Sequence, residues 1–205
     1  MRLMIGTYRR RKHLDDCLAS VEQHLKGVTD VVFIDDSGDP DHAAWLAQHG
    51  KVVDVGGRGY TAAMGAAAAA AEGQQCFWLE EDFTLLTDIH LDALSEILFN
   101  RPYLAEISLL RGPHFPIEHR FGGLIEALDA QGHRFATVHG VIEQTATFTM
   151  NPSLIRGAVW AAGWPTHGRL TEELKRDQLL RAGYRFGFVP GIRVAHHGQR
   201  EGHGY

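Results

Sequence analysis

Cysteine is scarce in this chain: only Cys17 and Cys76 occur among 205 residues, far apart and each in an apolar setting. They read as buried thiols rather than a disulfide framework, and they favour a reducing cytosol. Long apolar runs are also missing, so no segment approaches the length of a membrane span. The opening Met1-Arg2-Leu3-Met4-Ile5 is too short, and too soon followed by arginines, to read as a signal peptide. The expectation is a cytoplasmic protein with no membrane partner. There is no surplus of positive charge either. Against 25 Asp and Glu stand 20 Lys and Arg, a formal net charge of −5, which argues against nucleic-acid binding by bulk charge and leaves only a local basic patch open. Neither an internal repeat nor an interdomain linker is present. With 44% hydrophobic and 22% charged residues, the chain is expected to form one domain, residues 1–205, burying roughly 70% of the surface its unfolded form exposes.

The most informative stretch is Phe77-Trp78-Leu79-Glu80-Glu81-Asp82. Three apolar residues end a buried strand, and three carboxylates follow with no cation beside them in sequence. Such a cluster is tolerable if it opens to water or holds a hard divalent ion such as magnesium or manganese, which takes carboxylate oxygens. Taken alone, a solvated acidic turn before a helix starting near Thr87 is the default explanation.

The rest of the first half alternates strand and helix. Strands are expected at residues 3–5, 31–34, 51–55 and 76–79. Helices are expected at 12–26, where Leu14, Leu18, Val21 and Leu25 make one stripe, and at 41–48, 62–71 and 88–99. This rhythm implies an α/β fold, a mostly parallel sheet flanked by helices, in which ligands bind outside the carboxyl ends of the strands. Past Arg101-Pro102 the rhythm breaks. A strand at 104–110 is followed by a loop at 112–132 with one helical turn near 124–128, and by strands at 134–139 and 145–150 of mixed direction. Asn151-Pro152-Ser153 is expected to open a helix running to about Ala162, with Ser153 as its cap. A helix at 171–182 precedes two short strands, 186–189 and 192–194, around Pro190-Gly191. The tail, 195–205, reads as a lid or a frayed end.

In order and in their end residues these elements resemble the family 2 glycosyltransferases of the GT-A fold. The resemblance is carried by Thr7-Tyr8-Arg9, Ile34-Asp35-Asp36-Ser37, Arg58-Gly59, Leu79-Glu80-Glu81-Asp82, Thr171-Glu172-Glu173, Ala182-Gly183-Tyr184-Arg185-Phe186 and Val189-Pro190. It covers most of the chain, the loop at 112–132 excepted. It implies a single-domain GT-A (Rossmann-like) fold, with residues 1–100 as the nucleotide-sugar half and 101–205 as the acceptor and catalytic half carrying a smaller mixed sheet. It further implies a metal-dependent, inverting hexosyl- or pentosyltransferase that moves sugar from a nucleotide-sugar, in the first place a UDP-sugar, to a hydroxyl.

By the same resemblance Asp36 would accept from the nucleobase, Thr7 and Tyr8 would line that pocket, and Glu81 would meet the ribose. Asp82 would hold the Mn2+ or Mg2+ that bridges the phosphates, with His196 completing the metal site and Glu80 as an outer group. Glu172 would be the general base, with Glu173 as the alternative; the family usually has an aspartate there. Arg9 and Arg58, at turns on the ligand edge, would add charge-assisted contacts to the phosphates, with Gly59 beside Arg58 in the same cofactor-binding set.

Blander explanations stand beside these. A glutamate at a helix start also answers the helix dipole. His197 and His203 belong to a polar tail that is as readily solvated, and Trp160 and Trp164 read as core before they read as a stacking wall. Two other functions stay open, a nucleotidyltransferase of similar fold and a non-catalytic nucleotide or sugar binder. The first is disfavoured because Gly6-Thr7-Tyr8 lacks the glycine-rich, lysine-bearing loop such enzymes place after their first strand. The acceptor is undetermined: a protein, a small glycan, a metabolite, or a hydroxylated DNA base if Arg9 to Lys12, Arg111, Arg120 and Arg134 share a face.

Overall fold

A computed structural model describes residues 1–168 and 170–198. Of the tail expected at 195–205 as a lid or frayed end, Ala195 and His196 instead end a strand, and residues 199–205, with His203, lie outside the described residues. In chain order the elements are β1 (Arg2–Thr7), α1 (Arg11–His24), β2 (Leu25–Lys26), β3 (Asp30–Asp35), α2 (Pro40–Leu46), β4 (Lys51–Asp54), α3 (Tyr60–Ala70) and β5 (Cys76–Glu80). Then come β6 (Phe83–Leu85), β7 (Ile89–His90), α4 (Leu91–Asn100), β8 (Leu104–Arg111), α5 (Pro116–Phe121), α6 (Leu124–Ala130), β9 (Phe135–Val138) and β10 (Val141–Gln144). The chain closes with β11 (Ser153–Ile155), α7 (Gly157–Ala161), α8 (Thr171–Arg181) and β12 (Arg185–His196).

One sheet runs through both halves in the order β4-β3-β1-β5-β11-β8-β12-β10-β9, with β6 added along β12. β1 pairs in parallel with β3 and β5, β3 with β4, and β8 with β12. β11 is antiparallel to both β5 and β8, so those two point the same way. Six strands therefore end on one rim, delivering Thr7, Asp35, Asp54, Glu80, Arg111 and His196 to it.

Period-two alternation splits the core between the two faces of the sheet. Leu3, Ile5, Phe33, Phe77 and Leu79 pack under α1 and α4, while Met4, Val32, Ile34, Cys76 and Trp78 pack under α3 and α7. The alanine-rich α3 suits its place, since Ala63, Ala67 and Ala68 let the helix lie close on the sheet. Helix α2 is opened by Asp39, whose side chain accepts from the amides of Asp41 and His42, with Pro40 at the first turn. Both cysteines are buried and unpaired by disulfide. Trp160 and Trp164 are core residues. Among the described residues no helix is long and apolar enough to cross a membrane.

Four expectations for the second half are corrected. The helix expected from Asn151-Pro152-Ser153 is instead β11, with Ser153, Leu154 and Ile155 fully buried between two strands, and only α7 beyond it is helical. The gap between β5 and β8 has to be filled by a paired backbone, and that long-range demand overrides a local capping pattern. Residues 145–150 are irregular, and the strand lies just before them in β10. The two short strands around Pro190-Gly191 are one strand, β12, bent by register shifts on either side of Ile192. The loop at 112–132 contains two helices, α5 and α6, because buried Glu118 takes both guanidinium nitrogens of Arg111 (2.6 and 2.9 Å) and the amides of His114 and Phe115 (2.7 and 3.1 Å). Helix α4 starts at Leu91 rather than near Thr87, since Ile89–His90 pairs with β2.

Two glycines test this packing with opposite signs. A Cβ on Gly157 would lie 2.1 Å from the carbonyl oxygen of Gly73, a backbone atom that has little room to yield. One on Gly65, in the middle of α3, meets nothing within 4 Å. In chemical denaturation Gly157→Ala is expected to cost about 1–3 kcal/mol. Gly65→Ala is expected to stabilise by roughly 0.5–1 kcal/mol.

Candidate active site

The acids that end β5 open onto a cavity of about 70 Å³ at the carboxyl rim, lined by Gly6, Arg10, Ile34, Tyr60 and Trp78 together with Glu80, Glu81 and Asp82. The parallel register accounts for this lining. Gly6 of β1 stands beside Ile34 of β3 and Glu80 of β5, and the amide of Glu81 donates to the carbonyl of Gly6 (3.0 Å). Gly6 has a reason to be glycine, because a Cβ there would fall 2.9 Å from the Trp78 ring.

Asp82 meets two basic side chains. Its Oδ2 accepts from Arg10 Nη1 at 2.7 Å and lies 3.4 Å from His196 Nε2, while its buried Oδ1 has no partner. Burial opposes its anion, yet His196 and Arg10 outweigh burial and hold its pKa below the ordinary aspartate value. Glu81 titrates differently. Burial pushes it up to about 7, against the pull of the Tyr8 amide and the Arg10 guanidinium. Glu80 is raised well above its usual value, by burial first and then by the charges of Asp82, Glu172 and Glu81. Of these, Glu81 and Asp82 line the cavity together with Glu80.

Asp36 closes the neighbouring turn. It is buried, with neither carboxylate oxygen completing a hydrogen bond, and burial followed by the adjacent Asp35 raises its pKa although Arg58 and Gly59 favour the anion. Thr7, also buried, donates to Asp35 Oδ1 at 3.4 Å, and Tyr8 is exposed at the rim. Arg9, at a left-handed φ of 63°, gives its guanidinium to the Ser37 carbonyl, and Arg58 donates to the Val55 carbonyl at 2.6 Å. Both arginines thus brace the loops of the rim. Gly59, with φ of 86°, stands at the start of α3 and turns the chain into Tyr60.

Glu172 sits in the first turn of α8, where Oε1 accepts from the Tyr60 hydroxyl at 2.7 Å and Oε2 from the Met150 amide at 3.2 Å. Tyr60 is also a wall of the cavity, so it connects Glu172 to it. Burial raises the Glu172 pKa, and the two hydrogen bonds work the other way. Glu173, its neighbour in sequence, is exposed.

Three participants were not singled out from the sequence. Tyr60 and Arg10 matter through partners 112 and 72 residues away, which no local pattern reveals. His114, from the segment after β8, sets its ring 4.2 Å from that of His196, which also stacks on Phe83 at 4.3 Å. The proposed basic face loses one member, because Arg111 is buried against Glu118. Asp82 and His196 offer one oxygen and one nitrogen donor to a cation. Among the described residues no three His, Cys, Asp or Glu side chains converge as a full ligand set.

No family model matches the sequence, and no curated protein does. Solved structures do. The mannosyltransferase PcManGT from Pyrobaculum calidifontis, in complex with GDP-Man and Mn2+, superposes with a TM-score of 0.69 at 15% identity over 98% of this chain and 57% of its own. GalNAc-T7 with UDP, GalNAc and Mn2+ gives 0.69 at 16% identity over 98% of this chain and 44% of its own. This chain has the GT-A fold. It spans about half the length of those two neighbours.

The buried acids give the fold a pH dependence. Between pH 4.5 and about 7 the folded chain holds a proton on Glu81 that the unfolded chain has lost, so this group's stabilising contribution declines as pH rises through that window. In chelator, the melting temperature is expected to fall from pH 5 to pH 8. Glu81→Gln should make the decline shallower without abolishing it, since Glu80, Glu106 and Glu172 are raised as well. An undiminished slope in that variant would contradict the assignment.

Proposed function

We propose that the chain is a glycosyltransferase of the family 2 type, moving a sugar from a nucleotide diphosphate donor to an acceptor hydroxyl with inversion at the anomeric carbon. The observation that carries this reading is the unpartnered carboxylate oxygens of Asp36, Glu81 and Asp82, all buried on the carboxyl rim of a GT-A sheet. Buried anions without partners are costly, and a ligand with N–H, O–H and cationic groups relieves them. The Mn2+ in both solved neighbours supports the same reading.

Asp36 would accept from an N–H of the base, in the first place uracil; guanine offers N–H groups to the same carboxylate, and the donor panel below separates the two. Glu81 would take the ribose hydroxyls, beside Thr7 and Tyr8. Asp82 and His196 would hold a divalent ion, Mn2+ or Mg2+. When bound, such an ion neutralises charge on the leaving diphosphate. Glu172, raised by burial, would take the proton of the acceptor hydroxyl while its oxygen attacks the anomeric carbon opposite the diphosphate. The C–O bond forms as the sugar–phosphate bond breaks, and one displacement inverts the centre. Tyr60 and the Met150 amide would hold Glu172 in place. The buried free cysteines support a reducing compartment.

The test is a panel of UDP- and GDP-sugars, read by donor hydrolysis and by thermal stabilisation, with and without Mn2+. One donor class should stabilise the protein and be consumed only with the ion. Glu172→Gln should keep the stabilisation and lose turnover by roughly 10²–10⁴-fold. Stabilisation by no donor, or a product of retained configuration, would overturn the mechanism.

A further inference from the structure

We propose that Arg10 is a built-in rival of the divalent cation: its guanidinium occupies the charge seat on Asp82 until a diphosphate draws it away, so that cation and diphosphate bind as a coupled pair. This rests on the donor-site reading above. Arg10 Nη1 lies 2.7 Å from Asp82 Oδ2, and its Nε reaches Glu81 Oε1 at 4.0 Å. The same Oδ2 is approached by His196 Nε2 at 3.4 Å. It is also roofed by the chain, because a Cβ on Gly198 would lie 2.1 Å from it and 2.9 Å from His196 Nε2. An ion that takes this oxygen therefore enters a space already holding a positive group. Like charges at such a separation repel strongly in a partly buried site.

Arg10 is also the group best able to leave. Its side chain is 34% exposed, and it stands at the start of α1, where no acid in the first turn offsets the helix dipole and Arg9, Arg11 and Lys12 add positive charge. Arg9 is committed to the Ser37 carbonyl and Arg11 to the Trp45 ring at 3.8 Å. Arg10 alone of the three arginines rests on the acids. A diphosphate at this helix end would accept its guanidinium and vacate Asp82 Oδ2. Each ligand then raises the other's affinity by the same factor.

Electron paramagnetic resonance of free Mn2+ measures this on the full chain, with and without UDP or GDP. The wild type is expected to bind Mn2+ weakly alone and at least tenfold more tightly with nucleotide. Arg10→Ala should bind Mn2+ alone at least tenfold more tightly and lose most of the coupling. Arg10→Gln, which keeps the stem, should behave likewise, and Mn2+ should raise its melting temperature more than that of the wild type. If Mn2+ binds with nucleotide but neither variant changes its affinity alone, the proposal is overturned and the donor site stands. If the wild type binds no Mn2+ even with nucleotide, the donor-site reading fails and takes this one with it.

Discussion

Carboxylates gathered where water is thin are the constraint around which this molecule is arranged. Two unit charges 4 Å apart interact by about 4 kcal/mol at an effective dielectric near 20, a large share of the roughly 5–15 kcal/mol that holds a domain together. Asp36, Glu81 and Asp82 are all buried on one rim, and burial opposes each of their anions. The structure divides them: Asp82 stays ionised between Arg10 and His196, while Glu81 and Glu80 are pushed toward the neutral form. A site of this kind is poised to take up positive charge, since the arrival of a cation and polar groups removes the penalty that burial imposed.

The second half of the chain holds the site in register. Strand β11 wedges between β5 and β8 and so fixes how far the acidic end of β5 stands from the segment at 145–152. That segment is then tied down by two carboxylates on consecutive amides: Glu106 accepts from Thr149 at 3.1 Å and Glu172 from Met150 at 3.2 Å. Glu106 is buried in mid-strand, where burial raises its pKa, and it performs through a hydrogen bond the fixing that an apolar residue cannot. Glu172 is thus oriented by the Met150 amide of this segment and by the Tyr60 hydroxyl of α3.

How far the sequence is legible follows from the range of each signal. Apolar periodicity is local, so β1, α1, β3, β5 and α8 emerge within a residue or two, and with them the placement of Asp36, Asp82 and Glu172 at strand ends and a helix start. The rim itself follows from the βαβ rhythm. Ser153-Leu154-Ile155 is hidden because Asn-Pro-Ser mimics a cap, while pairing partners 75 and 45 residues away decide the matter. Helices α5 and α6 are hidden for a related reason. Their loop is held by Glu118 on Arg111, seven residues apart and buried, and nothing in the glycine- and histidine-spotted stretch shows which acid meets which base.

The rim is also divided by polarity, and the division follows from where charges are spent. On the β8 side Arg111 and Glu118 are consumed by each other, and the space beside them is a cavity of about 240 Å³ walled mostly by apolar residues, Leu110, Pro113, Leu124, Ile125, Ile142 and Ile192, together with Glu126. On the β5 side the acids remain partly unpaired. His114, just past β8, sets its ring against that of His196 on β12, so the two regions meet at this histidine pair. A fully polar rim would bind water and sugar hydroxyls alike. A mostly apolar wall beside an acidic one leaves fewer polar groups to hold water there, and electrostatic contacts strengthen where water is thin.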